Sequence, residues 1–308
     1  MYLTHFGLKE LPFTLTPNTE FYVDLPCHHD AFAVLTKALE MGEGFIKVTG
    51  EVGTGKTLIC RRLLNELPEE FITAYIPDPY LSPAELRWAL VTELGVEHND
   101  DINQQQLIQV LQKHLIELAK SGKSVVLIVD EAQALPFESL EALRLFTNLE
   151  TEQRKLVQVV LFAQSELDKR LAQPELRQLR QRISFSYKLR PLSGKEIRLY
   201  IDRRLLTAGY ANSRQLFSNG ATRTLVKASR GIPRLVNILC HKGMMLSYGQ
   251  GKQEVNKKHL TGAVVDTDDA TGAGGLDSRV LWWSVAGGVA LSAGVAVLAW
   301  WLTLGVSS

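Results

Sequence analysis

The sequence lacks a charge excess, a cysteine pattern and a cationic leader. Its 308 residues carry 34 Lys+Arg against 33 Asp+Glu, a net charge of +1. No global basic excess points to nucleic acid, and no acidic excess points to basic partners. Only three cysteines are present, Cys27, Cys60 and Cys240, far apart and without a CxxC pair. This excludes a disulfide framework and a zinc site of the usual spacing, and agrees with a reducing compartment. The start, Met1 to Lys9, has no cationic stretch followed by an apolar run, so it is not a secretory signal. What remains is globular in composition, 45% hydrophobic and 22% charged, and this excludes a disordered or collagen-like chain. The length suggests about two domains.

Charge is also missing after Arg279. Val280 to Val306 is an apolar run, with Trp282 and Trp283 opening it and Trp300 and Trp301 closing it. At about 1.5 Å per residue the Trp pairs stand about 28 Å apart, close to a bilayer core of about 30 Å. Indoles at both ends suit two membrane interfaces. A transmembrane helix is expected over 280–304, after a Gly/Ala/Asp-rich linker over 266–279. Lys252, Lys257, Lys258 and Arg279 flank the run on its N-terminal side only, so the body is expected on the cytoplasmic face. Ser284, Gly288, Ser292 and Ala296 recur every four residues, a spacing that lets such helices approach each other closely.

Phe45 to Thr49 reads as a short buried strand. It runs into Gly50, Glu51, Val52, Gly53, Thr54, Gly55, Lys56 and Thr57, and a helical pattern follows through Leu58, Ile59, Leu63 and Leu64. This is GxxxxGK[ST] in its strand–loop–helix setting. Glycines let the backbone curl so that successive N–H groups face phosphate oxygens, and the helix N-terminus adds its positive dipole end. Lys56 supplies a mobile cation for the β- and γ-phosphates, and the Thr57 hydroxyl a Mg²⁺ ligand. Val125 to Val129 is an apolar strand ending in Asp130 and Glu131. At the carboxyl end of a strand these acids would lie near the loop. Asp130 is the second Mg²⁺ residue, and Glu131 the general base for an attacking water. Strands are also expected over 71–76 and 157–162, so strands and helices alternate in an α/β parallel-sheet domain. Ser82 with Glu85 and Ser193 with Glu196 read as capping boxes. His28 and His29 lack a third metal ligand at useful spacing.

Residues 51–57, Val129 to Gln133, Leu140 to Glu150 and Gly231 to Asn237, together with Phe6, Pro12, Phe13 and Pro17, resemble AAA+ ATPases of the general secretion pathway protein A type. The resemblance covers roughly residues 1–265. It implies a P-loop AAA+ core over 1–190 and a small helical lid over 191–265. It implies that Gln164 is a polar sensor near the γ-phosphate, although Ala163 and Ser165 depart from the usual Gly and Pro there. Arg182 best fits an arginine finger reaching a neighbouring subunit, with Arg180 second and Arg177 third. Arg234 matches a lid arginine that closes on the γ-phosphate, and His28 a pre-loop position beside the nucleotide.

The resemblance therefore implies a membrane-anchored enzyme that hydrolyses MgATP. It would drive or time assembly of an envelope machine, in type IV pilus biogenesis or type II secretion. Self-association as a ring or dimer, envelope assembly proteins as partners and a tail anchor in the bacterial inner membrane are expected. Nucleic acid and direct peptidoglycan binding are not. Two alternatives use the same motifs: a nucleotide-gated scaffold with negligible turnover, and a DNA-handling AAA+ regulator.

Overall fold

The structure is a computed structural model that describes residues 2–15, 21–98, 101–150, 154–212 and 214–271. In chain order its helices are α1 (Leu3–Phe6), α2 (Pro26–Glu40), α3 (Lys56–Glu66), α4 (Pro83–Glu93), α5 (Gln104–Lys120), α6 (Phe137–Phe146), α7 (Glu166–Leu171), α8 (Arg177–Arg182), α9 (Gly194–Thr207), α10 (Asn219–Ser229), α11 (Pro233–Gly249), α12 (Lys257–Val265) and α13 (Asp268–Thr271). Its strands are β1 (Phe45–Thr49), β2 (Phe71–Ile76), β3 (Ser124–Val129), β4 (Val157–Ala163) and β5 (Phe185–Lys188).

The strands form one parallel sheet in the order β2-β3-β4-β1-β5. Parallel sheets are covered on both faces, and the central strands are accordingly apolar on both. Val125, Leu127 and Val129 of β3, with Val157, Val159 and Leu161 of β4, face a core completed by α4, α5, α6, α7 and α8. The alternate residues, Ile46, Val48, Val126, Ile128, Val160 and Phe162, face α2 and α3. Four strands lie where the sequence places them. The fifth, β5, escapes the sequence pattern: it has four residues at the sheet edge, none fully buried.

Helices α9 to α12 form a second body with its own core. That core also takes Tyr2, Phe6, Leu8, Phe13, Phe21 and Leu25. The N-terminal segment, assigned by position to the α/β body, thus packs on the bundle, where Lys9 N–H donates to the Ala208 carbonyl at 2.8 Å. Both expected capping boxes form. At Gly231 (φ 81°) an added Cβ would lie 2.4 Å from the Leu192 carbonyl oxygen, so the turn between α10 and α11 sits directly on the chain joining sheet to bundle.

The expected linker is folded at its start. Thr267 and Ala270 are buried against the bundle, and the Arg230 guanidinium donates to the Asp269 carbonyl at 2.9 Å. Small residues in a Gly/Ala/Asp-rich stretch can still pack once a helix end offers them a surface. Among the described residues no helix is long and apolar enough to cross a membrane. The expected transmembrane segment, 280–304, lies outside them.

Candidate functional site

The loop after β1 ends in Gly55 (φ 101°), which caps α3, and Gly53 also has a positive φ of 79°. An added Cβ at Gly53 would fall 2.5 Å from the Arg234 Cβ, and at Gly55 2.9 Å from His28 Nε2. Both positions therefore need glycine for conformation and for space. At Gly50 the same atom would lie 2.9 Å from Thr54 Oγ1. The first N–H groups of α3 have no partners within the helix. The buried Lys56 ammonium folds back onto this loop, donating to the carbonyls of Gly50 at 3.0 Å and Glu51 at 3.1 Å. Burial pushes its pKa down, while Glu131 and Asp130 push it up. A glycine cradle around a buried cation, at a helix N-terminus, fits a polyphosphate.

The end of β3 brings the acids to the same place, and the end of β4 brings Gln164. Asp130 is buried, and its Oδ1 accepts the Glu131 N–H at 2.9 Å. Burial raises its pKa, opposed by that bond and by a hydrogen bond from Thr57. A hydroxyl already paired with a carboxylate is a donor set suited to Mg²⁺. Glu131 takes a left-handed conformation, φ 48°, which a non-glycine residue rarely adopts. The turn sets its Oε2 to accept two side-chain amides, Gln133 Nε2 at 2.5 Å and Gln164 Nε2 at 3.1 Å. Gln133 is itself held, since its Oε1 accepts the Gln164 N–H at 2.8 Å and its carbonyl accepts Arg170 at 2.5 Å.

The bundle closes the cleft. Arg234, near the start of α11, is exposed, and its N–H donates to the Gly53 carbonyl at 3.3 Å. A cavity of about 230 Å³ is lined by Val52, Lys56, Thr57, Leu58, Glu131 and Arg234, with Tyr22 and Leu15 from the N-terminal segment. Buried Tyr200 donates to Asn237 Oδ1 at 3.0 Å and accepts from Arg204, also at 3.0 Å. Arg204 and Asn237 in turn donate to the Pro12 and Thr14 carbonyls at 2.6 and 3.2 Å. The segment that walls the cleft is thereby tied to the bundle.

His28 donates from Nε2 to the Thr54 carbonyl at 2.9 Å, and burial lowers its pKa. It braces the loop as a neutral ring. Among the described residues no His, Cys, Asp and Glu group could hold a metal ion by itself. Arg177, Arg180 and Arg182 lie exposed on α8 and do not line this cleft. A larger hollow, about 780 Å³, opens at the other end of the sheet around Glu40, Glu70 and Lys155 and includes no residue of the glycine loop.

Sequence reasoning assembled the loop, Asp130, Glu131, Gln164 and Arg234 in one cleft, and the structure brings them together. It missed Gln133, although that residue stands two positions after Glu131. It also missed the Tyr200–Arg204–Asn237 cluster, which reads in sequence as ordinary positions of amphipathic helices.

Known proteins resemble this chain in sequence and in fold. A family model described as an AAA domain matches residues 39–171. General secretion pathway protein A of Aeromonas hydrophila is 42% identical over 255 residues, which are 83% of this chain and 46% of that protein. The chain thus spans about half the length of this relative. Among solved structures, Cdc6p from Pyrobaculum aerophilum superimposes with a TM-score of 0.65 at 17% identity, over 88% of this chain and 73% of that one. Drosophila ORC bound to DNA gives 0.60 at 20% identity, over 83% and 64%. At such identities the likeness is one of fold alone.

Proposed function

We propose a function from one premise: the chain belongs to the general secretion pathway protein A family of AAA-domain proteins. It binds MgATP in the cleft between the sheet and the bundle, and hydrolyses it. The observation that carries this reading is the Glu131 carboxylate, held by two amides at the edge of a glycine cradle that contains a buried lysine.

Gly50, Gly53, Gly55, Lys56, Thr57 and Leu58 would hold the phosphates, with Thr57 and Asp130 on the metal. Mg²⁺ supplies charge neutralisation on the phosphate oxygens. Both amide bonds fall on Glu131 Oε2, so Oε1 is the oxygen that takes a proton from the attacking water. Gln164 would sense the terminal phosphate. Arg234, already against Gly53, would follow it as the bundle moves. The exposed arginines of α8, Arg182 first, suit a neighbouring copy's cleft rather than this chain's own.

The apolar stretch 280–304 would anchor the protein in the inner membrane with the ATPase on the cytoplasmic face. Turnover would then drive or time assembly of a secretion or type IV pilus machine, the MSHA (mannose-sensitive haemagglutinin) system included. Glu131→Gln tests the chemistry. It keeps the shape and removes the base, so steady-state phosphate release should fall about 100-fold or more while ATP binding stays. Unchanged phosphate release would overturn the assignment of Glu131. Pilus or secretion assembly that survives loss of turnover would favour a nucleotide-gated scaffold.

A further inference from the structure

The net charge of +1 conceals two opposite halves. Residues 1–190 hold 20 Lys and Arg against 26 Asp and Glu, whereas residues 191–271 hold 13 against 6. Helix α10 carries Arg223 and Lys227 of this excess and no acid. Its inner face buries Ala221, Thr222, Leu225 and Ser229. Its outer face carries Arg223 and Lys227, and Arg230 follows as its C-cap, all three exposed. Positions i and i+4 place the first two cations in one row, and Arg230 stands at its C-terminal end.

The row continues at both ends. Lys257 stands beside the first turn of α10, its Cβ 3.5 Å from where a Gly220 side chain would begin. Arg198 of α9 donates to Asn219 Oδ1 at 2.7 Å, opening a groove with Arg223. Asp202 is the acid that faces Arg198. Among the described residues, Arg223, Lys227 and Lys257 form no ion pair. At the other end, Arg230 grips the Asp269 carbonyl, two residues before Thr271, the last described residue.

We propose that this cationic row on α10 lies against an anionic lipid surface. The proposal rests on the reading of 280–304 as a membrane anchor. Residues 272–279 separate Thr271 from the apolar run. Even fully extended, at about 3.5 Å per residue, they reach about 30 Å. The end of the row is therefore tethered within that distance of the headgroups. Exposed cations so close to an anionic leaflet, Arg223, Lys227 and Lys257 above all, are drawn to it, and salt weakens the attraction. Docking would orient the ATPase on the membrane, with the bundle toward the lipid and the acidic body away from it.

The test uses the full chain in nanodiscs, made either of phosphatidylcholine alone or with phosphatidylglycerol added. The native cysteines, Cys27, Cys60 and Cys240, are buried, so a donor dye on Thr224→Cys labels α10 selectively. Headgroup dyes are the energy acceptors. Transfer should be higher in the anionic discs and fall with added salt. Arg223→Gln with Lys227→Gln should lower the ratio of docked to undocked chains roughly 30-fold. A chain that inserts yet shows equal transfer in both lipids overturns the docking proposal alone. A chain that never enters the discs overturns the anchor reading, and docking with it. Salt-steep binding of a DNA duplex that is lost in the double variant would assign the row to nucleic acid instead.

Discussion

The α/β body and the helical bundle build the same cleft from different kinds of sequence. The body's residues come from three strand ends, 50–58 after β1, 130–133 after β3 and Gln164 after β4. The bundle's come singly, with Tyr200 and Asn237 lying 37 positions apart yet hydrogen-bonded. Parallel strands deliver their loops to one sheet edge, so chemistry can be encoded locally there. A bundle has no such edge. Its side chains reach the cleft because Tyr200 of α9 bonds Asn237 of α11 and because Arg204 and Asn237 hold the carbonyls of the N-terminal segment. The glycine loop and the acids thus belong to the body, and the bundle supplies the cleft's other wall.

If that division holds, damage to each half should read out differently. The largest effect is expected between copies: Arg182→Ala should lower turnover about 1,000-fold or more, in the range of arginine fingers, without loosening ATP binding. Turnover of the wild type should then rise faster than linearly with protein concentration. Turnover proportional to concentration down to the lowest dilution would confine catalysis to single chains.

Next is Phe6→Ala. Phe6 is fully buried in the bundle core, and its loss should cost about 3–5 kcal/mol. Hydrogen exchange should show the bundle opening while β3 and β4 stay protected. Uniform loss of protection would mean that the two bodies unfold as one.

The smallest effect is expected at the joint. Arg190 and Ser193 hold the Glu196 carboxyl well below its usual range, at about 2. A depressed carboxyl adds stability above its unfolded pKa and loses it as pH falls toward the folded one. Glu196→Gln should therefore lower stability by roughly 1 kcal/mol at neutral pH. It should also flatten the loss that the wild type shows between about pH 4.5 and about pH 2. An identical acid limb in denaturant titrations of both proteins would remove the joint from the account.

Much of the body was legible in advance because continuous apolar runs and a glycine loop are local signals. Its missing strand, β5, is no such run: half-buried Phe185 and Tyr187 alternate with exposed Ser186 and Lys188 over only four residues. Gln133 could not be assigned because its amide meets Glu131 only through the left-handed turn at that residue. The N-terminal aromatics announce burial but not a partner, and only the fold shows that Tyr2, Phe6 and Phe13 belong with the bundle. The charge division needed no structure at all; it is hidden because the two halves nearly cancel.

The central claim is that one MgATP site lies in this cleft, centred on Lys56. Calorimetric titration of the full chain with Mg²⁺ and a non-hydrolysable ATP analogue tests it most directly. One site per chain is expected, and Lys56→Ala should weaken it roughly 30-fold or more, the loss of a buried charge-assisted contact. Equal affinity in the two proteins, or no binding to the wild type at saturating ligand, would contradict it.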